Sequence, residues 1–245
     1  MVELKLGDCL NLLQEVEENS VDMILTDLPY GTTACAWDSI IPLDKLWEQY
    51  NRVAKENAAM VFTAAQPFTT ILASSNIENF RYEWIWEKHQ GTNPMNAKIM
   101  PLKSHENILV FYRTKPTYNP QMGKGKPYGG FKSETSTIGE VYGSAKSVHR
   151  DNPEGTRYPK TILRFKQEKG LHPTKKPVPL MEYLIRTYTN KGDVVLDSTM
   201  GSGTTGVACF KSTRGFIGIE KDPIYFQKAY ERISNLEKNK LDFIE

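Results

Sequence analysis

The sequence predicts an α/β fold, a doubly wound and mostly parallel sheet with helices on both faces. Three observations carry this expectation. Short apolar runs alternate with helical patterns along most of the chain. Two of those runs end in unusual turns, Asp27-Leu28-Pro29-Tyr30-Gly31 and Asp197-Ser198-Thr199-Met200-Gly201-Ser202-Gly203-Thr204-Thr205. One irregular, basic stretch over 114–171 interrupts the alternation.

The elements follow in order. Residues 21–27 read as a buried strand that ends at the first turn. A helix follows over 43–55, with Leu43, Leu46, Trp47 and Tyr50 at helical spacing. Residues 58–63 read as a strand, 68–75 as a helix, and 81–88 and 106–113 as further strands. Residues 177–189 form a helix with Pro177 near its start, a position that suits proline. The final third reads as strand 194–196, helix 204–211, strand 215–219 and helix 223–238. The polar stretch 89–96 reads as a connecting or ligand-facing loop.

Bulk properties narrow the classes. A chain of 245 residues fits one large domain, or one domain with an insert, and buries a full core. A net charge of +2 excludes a general polycation. Cys9, Cys35 and Cys209 lie far apart, which argues against a disulfide framework or zinc ribbon and for a reducing compartment. His105, His149 and His172 lack metal-set spacing, and no metal is expected. No apolar stretch approaches the ~20 residues of a membrane span, and the start is not signal-like. The expected location is cytoplasmic, with no membrane segment.

The near-neutral total hides an asymmetry. Residues 114–171 carry eleven Lys/Arg against five Asp/Glu, a net of +6 that leaves −4 on the remainder. Six aromatics are interleaved with them: Tyr118, Tyr128, Phe131, Tyr142, Tyr158 and Phe165. Cations meet phosphates and rings stack on bases, so a nucleic-acid strand suits this segment. A merely solubilising insert has the same composition.

The two turns carry the chemistry. Asp197 ends a strand where open α/β sheets bind ligands. Gly201 and Gly203 allow close backbone approach, and the helix opening at Thr204 and Thr205 favours an anionic group. Glu220, ending the next strand, is placed to accept from ribose hydroxyls. No Gly-Lys-Ser/Thr follows the turn, which argues against a nucleoside triphosphate loop. At the first turn, Leu28 is held extended by Pro29. Asp27 and the Leu28 carbonyl can then offer two acceptors to a planar exocyclic amine, and Tyr30 can stack on its ring. An aromatic amine is a poor nucleophile because its lone pair is delocalised. Two acceptors on its hydrogens free that lone pair.

These residues resemble the β group of DNA amino-methyltransferases, which use S-adenosylmethionine to methylate adenine N6 or cytosine N4. Asp27-Leu28-Pro29-Tyr30 resembles the family's Asp-Pro-Pro-Tyr motif, with Leu28 in place of a proline. Asp197 to Thr205 resembles its cofactor motif, with Ser198 and Thr199 in place of Pro-Phe. His172-Pro173-Thr174-Lys175-Lys176-Pro177 resembles its His-Pro-Thr-Gln-Lys-Pro segment, and Gly7-Asp8-Cys9 resembles the start of the family chain. Catalytic motif first and cofactor motif last is the group's circularly permuted order.

The resemblance implies a catalytic core over 1–113 and 172–245, with 114–171 as a target-recognition insert. It implies Asp27, Leu28, Pro29 and Tyr30 as catalytic residues. It implies cofactor contacts from Asp8, Cys9, Asp27, His172, Thr174, Lys176, Asp197, Thr199, Gly201, Ser202, Gly203, Thr204, Thr205, Glu220 and Lys221. DNA is the implied substrate, with a restriction endonuclease and a second copy of the chain as further partners to look for. Trp37 and Asp38 can wall the base pocket, and Glu106 can reach the site. The implied reaction is methylation of N6 on a flipped adenine. Cytosine N4, an RNA or protein substrate, and a non-catalytic nucleic-acid-binding module are the alternatives.

Overall fold

Period-two burial on the central strands sets the architecture. The computed structural model describes residues 1–31, 39–132, 149–168 and 175–241. Strand β2 (Val21–Thr26) sends Met23 and Leu25 into one core and Ile24 into the other. Strand β3 (Ala54–Ala64) divides likewise, with Val61 on the first side and Met60 and Phe62 on the second. A sheet apolar on both faces must be covered twice. Helices Val178–Tyr188, Thr204–Ser212 and Pro223–Leu241 supply Leu184, Val207 and Ile233 to the first core. Helices Leu43–Val53 and Phe68–Ser75 supply Leu46, Tyr50, Phe68 and Leu72 to the second.

The other strands are β1 (Val2–Leu6), β4 (Phe80–Thr92), β5 (Lys103–Phe111), β6 (Gly123–Lys124), β7 (Tyr128–Lys132), β8 (His149–Asn152), β9 (Thr156–Arg157), β10 (Ile162–Arg164), β11 (Val194–Asp197) and β12 (Gly215–Glu220). The main sheet runs β1-β12-β11-β2-β3-β5-β4-β10. The β1 to β3 portion of this order is parallel, β5 is antiparallel to both neighbours, and β10 is parallel to β4. The expected doubly wound, mostly parallel α/β fold is what forms.

One pairing positions the site. Leu196 of β11 lies opposite Ile24 of β2, so two strands remote in sequence end side by side. The connections leave this point in opposite directions along the sheet, which opens a crevice at the carboxyl ends.

The chain divides into two units, Met1–Asn119 with Thr161–Glu245, and Pro120–Lys160. The second is narrower than the irregular stretch 114–171. Asn119 is tied to the first unit through bonds to Thr187 O (2.7 Å) and Thr189 O (3.1 Å). β10 joins the main sheet with Leu163 buried. The second unit contains two small sheets, β6 with β9 and β7 with β8. Within it, Arg157 covers the Tyr128 ring at 4.9 Å, and Lys124 and Lys126 are exposed. Among the described residues no helix is long and apolar enough to cross a membrane.

Gly206, in the first turn of helix Thr204–Ser212, sits hard against β12. A Cβ there would stand 2.7 Å from the Phe216 ring and 2.5 Å from Ile233 Cδ1. Overpacking of this kind costs about 1–3 kcal/mol. Gly206→Ala should therefore lower the thermal midpoint by roughly 2–10 °C for a domain this size, measured by calorimetry.

Candidate active site

At the crevice, a net of hydroxyl and carboxylate groups staples the two turns together. Asp197 is buried, and both of its oxygens are used internally. Oδ1 accepts from Thr26 Oγ1 (2.8 Å) and the Thr199 N–H (3.2 Å), and Oδ2 accepts from Thr205 Oγ1 (2.6 Å). Thr199 in turn donates from Oγ1 to the Asp27 carbonyl (3.0 Å) and lies 2.8 Å from Thr26 Oγ1. Asp197 thus fixes the relative position of β2, β11 and the Gly-rich turn. Ser198 packs deeper, with Oγ 2.5 Å from Tyr50 Oη.

Burial pushes the Asp197 carboxyl up from 3.8 to about 7, against the Thr205, Thr26 and Thr199 hydrogen bonds that favour the anion. A folded-state value above the unfolded one means that the stabilising contribution is complete below pH ~4 and lost as pH rises through ~7. Asp197→Asn has no such titration. The stability of the unaltered protein relative to that variant should fall from pH 4 to pH 7, measured as the difference in thermal midpoints.

Gly201 and Gly203 both adopt the left-handed region, at φ +53° and +74°. That conformation carries the chain from β11 into the helix. Among the described residues, and apart from its two chain neighbours, no atom lies within 4 Å of where a Cβ on Gly201 would stand. Glu220 holds the turn from β12, accepting from the Gly201 N–H through Oε2 and the Asp222 N–H through Oε1, each at 2.8 Å. Asp8 caps the short helix Cys9–Leu12 through the Leu10 N–H (3.0 Å) and meets Lys221 Nζ at 3.1 Å.

The first turn is also prearranged. Asp27 Oδ1 accepts from Tyr30 Oη (2.7 Å) and from Thr63 Oγ1, and Oδ2 faces Lys176 Nζ at 2.6 Å. The Tyr30 ring stacks on Phe68 at 5.3 Å. Leu28 is buried in the second core, which anchors the turn.

These turns enclose a cavity of about 650 Å³, within the ~300–1,000 Å³ usual for small-molecule sites. Of the expected site residues, Asp8, Cys9, Asp27, Leu28, Pro29, Tyr30, Lys176, Asp197, Thr199, Gly201, Ser202, Thr204, Thr205, Glu220 and Lys221 line it. Gly203 does not, because it stands behind the turn against Ala229 and Ile233. His172, Thr174, Trp37 and Asp38 lie outside the described residues. Sequence reasoning passed over Thr26, Thr63, Ile41, Met181 and Tyr225. It also passed over Gly206, which completes a Gly-x-Gly-x-x-Gly spacing readable in the chain.

The cavity has the donor set for a nucleoside bearing a charged tail. The space beside Gly201 admits a ligand against the backbone, and the helix Thr204–Ser212 begins on the cavity lining at Thr204 and Thr205, where the first N–H groups of a helix lack intrahelical partners. Acidic Asp8 and Glu220 suit hydroxyls or an amine, while Ile41, Met181 and Pro223 suit an apolar ring. Tyr30 and Asp27 line the same cavity.

Comparisons with known proteins agree with this geometry. The chain is 28% identical to the Type II methyltransferase M1.MboII of Moraxella bovis, over 95% of this chain and 96% of that protein. It is 27% identical to the DNA adenine methyltransferase YhdJ of Escherichia coli K12, over 93% and 81% respectively. The crystal structure of the M1.HpyAVI–SAM complex superposes with a TM-score of 0.64 at 29% identity, covering 95% of this chain and all of that one. A family described as DNA methylase, of the N6/N4 type, matches residues 21–231. Spanning both turns, the strands between them and the first half of the last helix, that match establishes that the chain belongs to the N6/N4 DNA methylase family.

Proposed function

We propose that the protein transfers a methyl group from S-adenosylmethionine to the exocyclic N6 of an adenine flipped out of duplex DNA. The single observation that carries this reading is the joining of the two turns. Asp27 and the Gly-rich turn line one cavity, held together by the Thr26–Asp197–Thr199 net. A cofactor of this class, found with the related M1.HpyAVI, supplies an electrophilic methyl on a sulfonium centre.

The chain's own residues do the rest. Gly201, Thr204 and Thr205 would hold the charged tail, while Glu220 and Asp8 would accept from hydroxyl and amine groups. The DNA base enters from the Tyr30 side, because a stacked base cannot reach this crevice. Asp27 Oδ2 and the Leu28 carbonyl would accept the two amine hydrogens, which frees the nitrogen lone pair for attack. Alignment of this kind is worth roughly 7–11 kcal/mol of the barrier. Asp27 takes the amine proton as transfer completes, and no acid is required because the leaving group is a neutral thioether.

Adenine is preferred over cytosine on the Asp at the first motif position and on the likeness to a protein named a DNA adenine methyltransferase. The basic, aromatic segment within 114–171 supports a role in choosing the target sequence. Likeness to Type II methyltransferases supports a restriction endonuclease of matching specificity as a partner. Modified-base sequencing of DNA from cells expressing the protein tests the substrate. Methyl groups on adenine N6 within one recurrent motif are expected, and methylcytosine N4 in their place would overturn the base assignment.

A further inference from the structure

Four charged side chains stand in a line behind the Asp27 turn. Lys176 Nζ lies 2.6 Å from Asp27 Oδ2 and 3.2 Å from Glu106 Oε2. Lys88 Nζ lies 2.5 Å from Glu106 Oε1. Three strands and the approach to helix Val178–Tyr188 contribute one member each. Asp27 follows β2, Glu106 is on β5, Lys88 is on β4, and Lys176 precedes the helix. Lys176, Lys88 and Glu106 are 5%, 9% and 12% exposed. Neither Glu106 nor Lys88 lines the cavity. Two cations and two anions make the row neutral in sum, as burial demands.

The bonding in the row is uneven. Both Asp27 oxygens are taken, Oδ1 by Tyr30 and Thr63 and Oδ2 by Lys176. Glu106 Oε2 is buried and, among the described residues, its one polar contact is the ion pair with the same ammonium at 3.2 Å, longer than the 2.6 Å contact to Asp27 and without well-formed hydrogen-bond geometry. A cation therefore rests on the carboxylate that must receive an amine, and a second, more loosely engaged carboxylate oxygen lies beside it. Burial pulls the Lys176 ammonium pKa down, but Asp27, Tyr30 and Glu106 outweigh this and keep it well above the ordinary lysine value. Burial pushes the Glu106 carboxyl up, and Lys176 with Lys88 more than offsets this, so it stays ionised.

We propose that Glu106, held in place by Lys88, is a positioning residue that receives the Lys176 ammonium when the target amine docks on Asp27. This rests on the reading that Asp27 Oδ2 accepts from that amine. The step is a shift of hydrogen bonds with no covalent change and no change in net charge. Without Glu106, an ammonium displaced from Asp27 would be left buried and unpaired, which is strongly unfavourable. Lys176 would then stay on Asp27 and compete with the substrate. Lys88 keeps the Glu106 carboxylate ionised and its Oε1 occupied, which leaves Oε2 as the receiving atom.

The test is single-turnover methylation of unmethylated bacterial genomic DNA by the full chain at saturating cofactor, paired with calorimetric S-adenosylmethionine affinity. Glu106→Gln should slow transfer about 10- to 100-fold, the worth of a hydrogen bond to a charged group, and leave cofactor affinity unchanged. Glu106→Asp should recover part of that rate. Lys88→Met should slow transfer in the unaltered background and add nothing in Glu106→Gln, because it acts only through Glu106. A wild-type rate in Glu106→Gln, or a fall in cofactor affinity matching the fall in rate, overturns the proposal. If Glu106→Gln does not fold, wild-type rates in both Glu106→Asp and Lys88→Met overturn it. Absence of DNA methylation by the unaltered protein would overturn the functional reading and the relay together. Transfer with an undiminished Glu106→Gln rate overturns the relay alone.

Discussion

Asp27→Ala should reduce methyl transfer to DNA at least ~10³-fold while S-adenosylmethionine still binds. The loss combines misaligned amine and missing proton acceptor. The retained binding follows from the architecture. The Gly-rich turn is held by Asp197 through Thr26, Thr199 and Thr205, and by Glu220 through Gly201, none of which uses the Asp27 side chain. The Asp27 carbonyl, which anchors Thr199, survives the substitution. The variant also leaves Lys176 with Glu106 as its remaining counterion, so the fold is not left with an unpaired cation. Single-turnover assays with labelled cofactor measure the rate, and calorimetry measures the binding.

Glu220→Gln should give the opposite pattern, weak cofactor binding with near-normal transfer once the cofactor saturates. Each Glu220 oxygen accepts one backbone N–H, from Gly201 and from Asp222. A glutamine amide places an NH2 against one of those donors. Losing a bond to a charged acceptor and leaving an N–H unpaired costs about 1.5–3 kcal/mol, roughly 10- to 100-fold in Kd. The affected loops line the cavity at Gly201, Lys221 and Asp222, and no hydrogen bond of Glu220 reaches Asp27 or Tyr30 among the described residues. A titration of initial rate against cofactor concentration separates the two variants. Asp27→Ala lowers the plateau, whereas Glu220→Gln moves the midpoint.

The sequence was most legible where burial repeats strongly. Strand Val21–Thr26 and helix Phe68–Ser75 lie where their patterns place them, because their apolar residues are committed to a core. Strand Val2–Leu6 escaped notice. It is a half-exposed edge strand whose Leu4 pairs with Gly218, so its pattern is set by one neighbour. Strand Ile162–Arg164 buries only Leu163 and sits inside a basic segment that reads as irregular. The polar stretch 89–96 reads as a loop, yet the strand continues through Thr92, paired with Lys103. Its side chains face solvent, and polarity there says nothing against a strand.

The site shows the same division. Both turns are local, so their residues could be named from the chain. The network joining them is not local. The Thr26–Asp197 bond spans 171 positions and the Lys176–Asp27 bond 149, and only strand order brings those groups together. Lys176 stands out in sequence as a neighbour of the cofactor segment, while its ammonium is directed at Asp27 and Glu106. Gly203 reads as a cofactor contact from its place in the turn, while its left-handed backbone serves the entry to the helix.

The central claim is that one cavity joins a methyl donor to a DNA base amine presented by Asp27. Incubating the protein with methyl-labelled S-adenosylmethionine and duplex DNA, RNA and protein together, with Asp27→Ala alongside, tests it in one measurement. Label recovered on an exocyclic base nitrogen of the DNA, and absent with Asp27→Ala, is the predicted result. Label confined to RNA or protein, or equal labelling of DNA by Asp27→Ala, would contradict it.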